Sequence, residues 1–345
     1  MTMPHDPSSA LDVRTSGFDV VSDVLRSIRL TGSMLFLVDA TSPWNSWAPD
    51  TEAFRRLVLP DSPHLVSYHL VIDGACWAGL RDAPPVRLEA GDVMVVPRGD
   101  AYRLCDPPEA PPSYGHRDAL AFFELMASGR LPPLVAQGGA GPRAARFLCG
   151  FLGSDRPAES PVLAALPRMV TVRTGAGPDR AFRHLVDFAL AELAAARPGG
   201  RSVALRLAEL MFVEIVRAHF AAAGPVGPGW LAGLRDPVAA RVLGCFHEAP
   251  AARWTLAALA RRCGVSRTVL SERFTAHVGV PPMEYLTRWR MQLASRHLAR
   301  PGATVAGAAR AAGYDSEAAF SRQFKRRVGV PPSARTGVRR RRSRA

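Results

Sequence analysis

A chain of 345 residues with 48% hydrophobic side chains is long enough for two or three domains with real cores. Its formal charge of +14 is not spread evenly: residues 225–345 carry 22 Lys and Arg against 6 Asp and Glu, a net of +16, and the rest of the chain is near neutral. That split excludes a uniformly basic surface and points to a phosphate-binding module joined to a neutral one.

Residues 1–17 read as a loosely packed leader, without the basic segment and apolar stretch of a secretory signal. Asp19–Leu30 has helical spacing, with Val20, Val21, Val24, Leu25 and Ile28 on one face. The period then changes. Ser33–Val38, Leu65–Ile72, Cys76–Leu80, Val86–Leu88, Val93–Val96 and Tyr102–Leu104 are short β-prone runs cut by Pro, Gly and Asp, the pattern of a small antiparallel barrel or sandwich. Beyond the Gly-rich stretch 138–141, Arg146–Phe151 is predicted to return to the barrel as a further strand. Asp179–Ala196 and Arg201–Phe220 follow as helices. The second carries an apolar stripe through Phe212 and Ile215 for which a dimer contact is expected. Ala221–Gly229 reads as a linker.

The most informative feature lies beyond it, where one unit is written twice. LAALARRCGVSRTVLSERFTAHVGVPP ends at Pro282 and VAGAARAAGYDSEAAFSRQFKRRVGVPP at Pro332. Gly264 aligns with Gly313 and Phe274 with Phe324, the offset drifting from 49 to 50 through one extra residue after the second turn. Each copy has a helix, a Gly turn, a Ser placed as N-cap and a second helix, the unit that sets its second helix in a DNA major groove. With Leu270, Phe274, Phe320 and Phe324 inward, the residues facing out are Arg267, Thr268, Ser271, Glu272 and Thr275 in one helix and Glu317, Ala318, Ser321, Arg322 and Lys325 in the other. Arg322 is the expected base reader; Arg267, Lys325, Arg326 and Arg327 are expected on phosphates. Met283–Ala299 reads as a rigid strut between the copies, its Trp289 and Met291 core. The terminal RRRRSR adds non-specific attraction.

Two stretches resemble known families. The C-terminal repeat, with Gly313-Tyr314-Asp315-Ser316, Phe320-Ser321-Arg322-Gln323-Phe324-Lys325, Gly329 and Pro332, is similar to the DNA-binding domain of AraC/XylS-type transcriptional regulators. The family's Pro is usually followed by Tyr-Arg, where this chain has Ala334-Arg335. LEAGDVMVVPRGDAYRL and the preceding His69–Gly74 resemble the two halves of a cupin barrel. The resemblance implies an α+β multidomain chain: a cupin-like sensor over 18–155, a helical connector and dimerisation region over 156–225, and an all-α double helix-turn-helix domain over 230–338. It also implies a sequence-specific promoter reader controlled by a small-molecule effector, acting as a homodimer and addressing RNA polymerase. His69, Tyr102, Trp77 and Phe36 are the candidate effector-binding residues.

Many cupins hold a metal through histidines, the last following the Pro-x-Gly turn; here Ala101-Tyr102 stands there. No metal, cofactor or catalytic residue is therefore expected. The five cysteines form no CxxC pair and no run reaches the ~20 apolar residues of a membrane span, so a soluble cytoplasmic protein is expected. The rival readings are a cupin-type metalloenzyme tethered to DNA, which needs a histidine triad, and a non-specific architectural DNA binder, which does not need two distinct reading faces.

Overall fold

The computed structural model describes residues 20, 22–23, 30–130, 134–154, 163, 166–173, 180–195, 197–222 and 229–336. The expected leader, most of the Asp19–Leu30 helix, most of the linker and the basic tail lie outside the described residues. The chain divides into two compact units, 28–158 with 166–223, and 224–345 with 1–27 and 159–165.

The first unit is a curled nine-stranded sheet with helices on it. Its elements are β1 (Leu30–Thr41), β2 (Trp44–Ala48), α1 (Thr51–Val58), β3 (His64–Leu80), β4 (Val86–Glu89), β5 (Asp92–Val96), β6 (Tyr102–Asp106), α2 (His116–Ala127), β7 (Leu134–Gly138), β8 (Arg143–Ser154), β9 (Val170–Arg173), α3 (Arg180–Ala195) and α4 (Gly200–Ala222). β8 lies between β1 and β3, antiparallel to both, while β7 runs parallel to β1. The two strands expected at Leu65–Ile72 and Cys76–Leu80 are one long strand. The first half of β3 pairs with β8 and β5, and its second half turns onto β4 and β6.

A register shift between Val71 and Asp73 marks the bend. Gly74 sits there at φ +76°, where an added Cβ would fall 2.0 Å from the Ala144 carbonyl oxygen. The bulge also reverses which residues face inward: His69 and Val71 are buried before it, Cys76, Ala78 and Leu80 after it. Gly74→Ala should cost roughly 1–3 kcal/mol, because the positive φ and the carbonyl clash act together. Urea melts of the two proteins check this; an unchanged midpoint would mean that the bend does not need glycine.

Of the stretch 156–225 expected as a connector, residues 166–173, 180–195 and 197–222 are described and belong to the first unit. β9 pairs with β5, and α4 lays its apolar stripe on β1 and β9. Phe212 and Ile215 are 1% and 2% exposed within this unit, so the dimer contact expected of them is not available. Among the described residues of the α3–α4 pair, the large exposed apolar side chains are Phe188 and Leu210, at 48% and 52%.

The second unit is all helical: α5 (Trp230–Arg235), α6 (Pro237–Glu248), α7 (Leu256–Cys263), α8 (Arg267–Val278), α9 (Pro282–Leu298), α10 (Val305–Ala311), α11 (Glu317–Val328) and α12 (Ser333–Thr336). Phe246, Phe274 and Tyr285 form the aromatic centre of its first half, with ring centroids 5.9–6.2 Å apart. Phe320 and Phe324 fill the second half against Met291, Ala294 and Leu298 of α9. α12 buries none of its residues.

Candidate functional site

Both copies of the repeat are built by the same local rules. Thr255 caps α7 through the Ala258 N–H at 3.1 Å, and Thr304 caps α10 through the Gly307 N–H at 3.0 Å. Ser266 caps α8 through Val269 at 3.2 Å, and Ser316 caps α11 through Ala319 at 3.3 Å. Each hydroxyl accepts from an N–H that the helix itself cannot satisfy. Gly279 and Gly329, at φ +83° and +84°, end the two recognition helices.

Aligning the serine caps puts α8 and α11 in the same frame. Leu270 and Phe274 correspond to Phe320 and Phe324, and all four are fully buried. On the outer faces the chemistry differs: Thr268 corresponds to Ala318, Ser271 to Ser321 and Glu272 to Arg322. Arg267, Thr268, Glu272, Ala318, Arg322, Lys325 and Arg326 are exposed, and Ser271 and Ser321 half-buried. Arg326 donates to Gln323. Arg327, expected on a phosphate, instead donates to Glu284 at the start of α9, which also accepts from Arg288 at 2.9 Å. Burial alone would raise the Glu284 pKa; the two guanidinium groups outweigh it and hold the carboxyl below its usual range.

Further contacts fix the two heads, and sequence reading missed them. Asp236 caps α6 through the N–H groups of Val238 and Ala239 at 3.0 and 2.8 Å and accepts from Arg273 of α8. Arg290 of α9 donates to the carbonyls of Pro250 and Ala252 at 2.7 and 2.8 Å. Arg253 pairs with Asp315 in the turn of the second copy at 3.0 Å. Nothing local marks these arginines, since their partners are 37 to 62 residues away.

In the sheet unit, residues of several strands face one half-open cavity. β1 gives Phe36 and Val38, β2 gives Trp44, Ser46, Trp47 and Ala48, β8 gives Phe147, Cys149 and Phe151, and α2 closes a wall with Ala119, Phe122 and Phe123. His69 and Tyr102 also line it. Of the four candidate effector-binding residues, Trp77 does not: the bulge before it has reversed the inward parity, so its neighbours Cys76 and Ala78 are the ones buried in the core. The alternation of Phe147, Cys149 and Phe151 on β8 was a local signal for three of the residues missed; those on α2 had none.

The cavity floor is a hydrogen-bonded chain. His69 Nε2 lies 2.7 Å from the Tyr102 hydroxyl and Nδ1 3.0 Å from Cys149 Sγ. Burial pushes the His69 pKa down to about 3 and pushes the Tyr102 phenol and Cys149 thiol up, so all three are neutral near pH 7. With both imidazole nitrogens committed and no Asp or Glu among the residues lining the cavity, the donors do not fit a metal. His64 is likewise engaged, with the Pro97 carbonyl at 2.8 Å.

The native His69 pKa lies below its ordinary 6.5, so as the pH falls the unfolded chain takes up the proton first. The stability that depends on neutral His69 should be fully present above about pH 6.5. Below that it should fall by at most about 1.4 kcal/mol per pH unit, down to about pH 3. His69→Gln should flatten this part of a stability–pH curve, and a wild-type curve already flat there would contradict the assignment.

Comparison with known proteins agrees with both parts. A profile described as cupin matches residues 19–221, and one described as a helix-turn-helix domain matches 259–336. A putative AraC-like transcription regulator of Streptomyces antibioticus is 36% identical over 279 residues, 81% of this chain and 89% of that protein. The HTH-type transcriptional regulator AlkR of Acinetobacter baylyi is 25% identical over 317 residues, 91% of this chain and 97% of that one. Among solved structures, the DNA-binding domain of AdpA in complex with a target DNA is 30% identical, covering 32% of this chain and 99% of that one; the TM-score of 0.29 carries no weight. A cupin domain followed by a double helix-turn-helix, with relatives of this similarity along most of its length, places the chain in the family of AraC-like DNA-binding transcriptional regulators.

Proposed function

We propose that one chain reads an asymmetric promoter site of two unlike boxes, one for each recognition helix, under control of a small-molecule effector held in the cupin cavity. One observation carries this reading: α8 and α11 share caps, core positions and length, yet present Glu272 and Arg322 at the same place on their outer faces. Arg322 suits the guanine O6/N7 pair, Glu272 a cytosine N4, and the Ala318 methyl a thymine methyl. Thr268, Ser271 and Ser321 complete the reading faces, while Arg267, Lys325 and Arg326 hold phosphates. α9 has 17 residues, about 25 Å at ~1.5 Å per residue, and with the width of each helix-turn-helix added the two recognition helices can sit in successive major grooves about 34 Å apart on one face of the duplex.

In this reading the chain is a cytoplasmic regulator and not an enzyme, and RNA polymerase is its partner on the promoter. Phe188 and Leu210 support a homodimer contact through α3 and α4, which would double the site. Arg322→Ala should cost roughly 1–3 kcal/mol on the selected site and relax preference at one base position, whereas Lys325→Ala should weaken all sequences alike. Titrations on the site and on random DNA separate the two. Equal losses on both for Arg322→Ala would remove Arg322 from base reading.

A further inference from the structure

The residues around the cavity define the chemistry of what enters it. We infer that the effector is an uncharged molecule, an apolar or aromatic body bearing one small neutral polar group such as a hydroxyl or carbonyl. This rests on the reading of the cavity as the effector site.

Among the described residues lining the cavity there is no Lys, Arg, Asp or Glu. Most of the wall is aromatic, with Phe36 and Phe122 at 6.1 Å and Trp44 and Phe147 at 5.4 Å between ring centroids. The titratable side chains facing the space are His69, Tyr102, Tyr114 and Cys149. Burial favours the neutral form of each, lowering the imidazole pKa and raising those of the phenols and the thiol. An ion entering this space leaves its water and meets no counter-charge, which costs far more than burying a hydroxyl that finds a hydrogen bond.

The wall nevertheless offers polar contacts at one place. On β2 and β7, Ser46 Oγ donates to Gln137 Oε1 at 2.6 Å, and the Tyr114 phenol lines the cavity with them. The Trp44 indole N–H is buried with no hydrogen-bond partner among the described residues. A single ligand oxygen near this wall would meet donors without a charge being buried. A sugar, with a hydroxyl on nearly every carbon, would leave most of them against aromatic rings. The remaining competitor is a quaternary ammonium stacked on the rings, which would lose its hydration shell with no carboxylate in the lining to replace it.

The test uses the full-length chain and four probes at about pH 7.5: 1-decanol, 4-propylphenol, decanoate and decyltrimethylammonium, titrated by calorimetry and by tryptophan fluorescence. Decanol or propylphenol should bind at least about 100-fold more tightly than either ion. Decanoate should gain about tenfold per unit as the pH is lowered to about 5.5, because it enters as the neutral acid, while decanol is unchanged. That comparison needs no variant. Ala119→Trp, which fills the cavity from α2, should abolish binding of the neutral probes. An ion that binds as tightly as decanol at pH 7.5, and is lost in Ala119→Trp, would overturn the inference while leaving the cavity an effector site. If none of the four probes binds, the effector reading of the cavity fails and this inference fails with it.

Discussion

Replacing Phe324 with Ala should unfold the second helix-turn-helix unit while leaving the first standing. The buried cluster of the second unit consists of Met291, Ala294, Leu298, Ala308, Ala309, Ala312, Phe320 and Phe324, so half of it is alanine and most of its apolar volume sits in two phenylalanine rings. Truncating a fully buried Phe typically costs 3–5 kcal/mol, and a domain has only about 5–15 in all. Phe274, the matching residue of the first unit, packs instead against Phe246 and Tyr285, which the substitution does not touch. Hydrogen exchange should show protection lost across α10 and α11 and kept across α6 and α8. Affinity for a two-box site should fall to the non-specific level. Protection lost equally in both units would show that they fold as one and that the reading heads are not separable.

Much of this architecture is legible in the chain itself. The repeat between 255 and 335 identifies both helix-turn-helix units because its signals are local: a hydroxyl cap, a glycine turn and apolar residues at i and i+4. Even the one-residue drift in its offset has a structural counterpart. The first unit runs from Thr255 to the Ser266 cap and the second from Thr304 to the Ser316 cap, one residue longer. The strut predicted at Met283–Ala299 is α9, Pro282–Leu298.

The sheet unit is less legible, for three physical reasons. α1 and α2 interrupt a stretch that reads as strands; each is short, and tertiary contact supports it, Phe54 stacking on Phe123 at 4.0 Å. The inward parity of β3 reverses at the bulge near Gly74, so a single alternation carried along the strand misplaces Trp77. The stripe on α4 is that of any amphipathic helix, and spacing cannot tell whether a second copy or the chain's own sheet covers it; here the sheet does. The ion pairs that hold the reading heads, Arg273 with Asp236 and Arg327 with Glu284, join residues too far apart for any local pattern to reveal.

The most direct test of the account is the dependence of binding on the distance between the two boxes. One strut, with Arg327 tied to Glu284 at its start and Arg290 tied to the carbonyls of Pro250 and Ala252, holds two unlike helices at one separation. Inserting about five base pairs turns one box to the far side of the duplex, where a single rigid chain cannot follow. Affinity should then drop to the non-specific level, a loss of about 10³-fold or more, with the remaining binding falling steeply as salt is raised. Specific affinity that survives the insertion would mean that one helix alone reads DNA and that the strut sets no spacing.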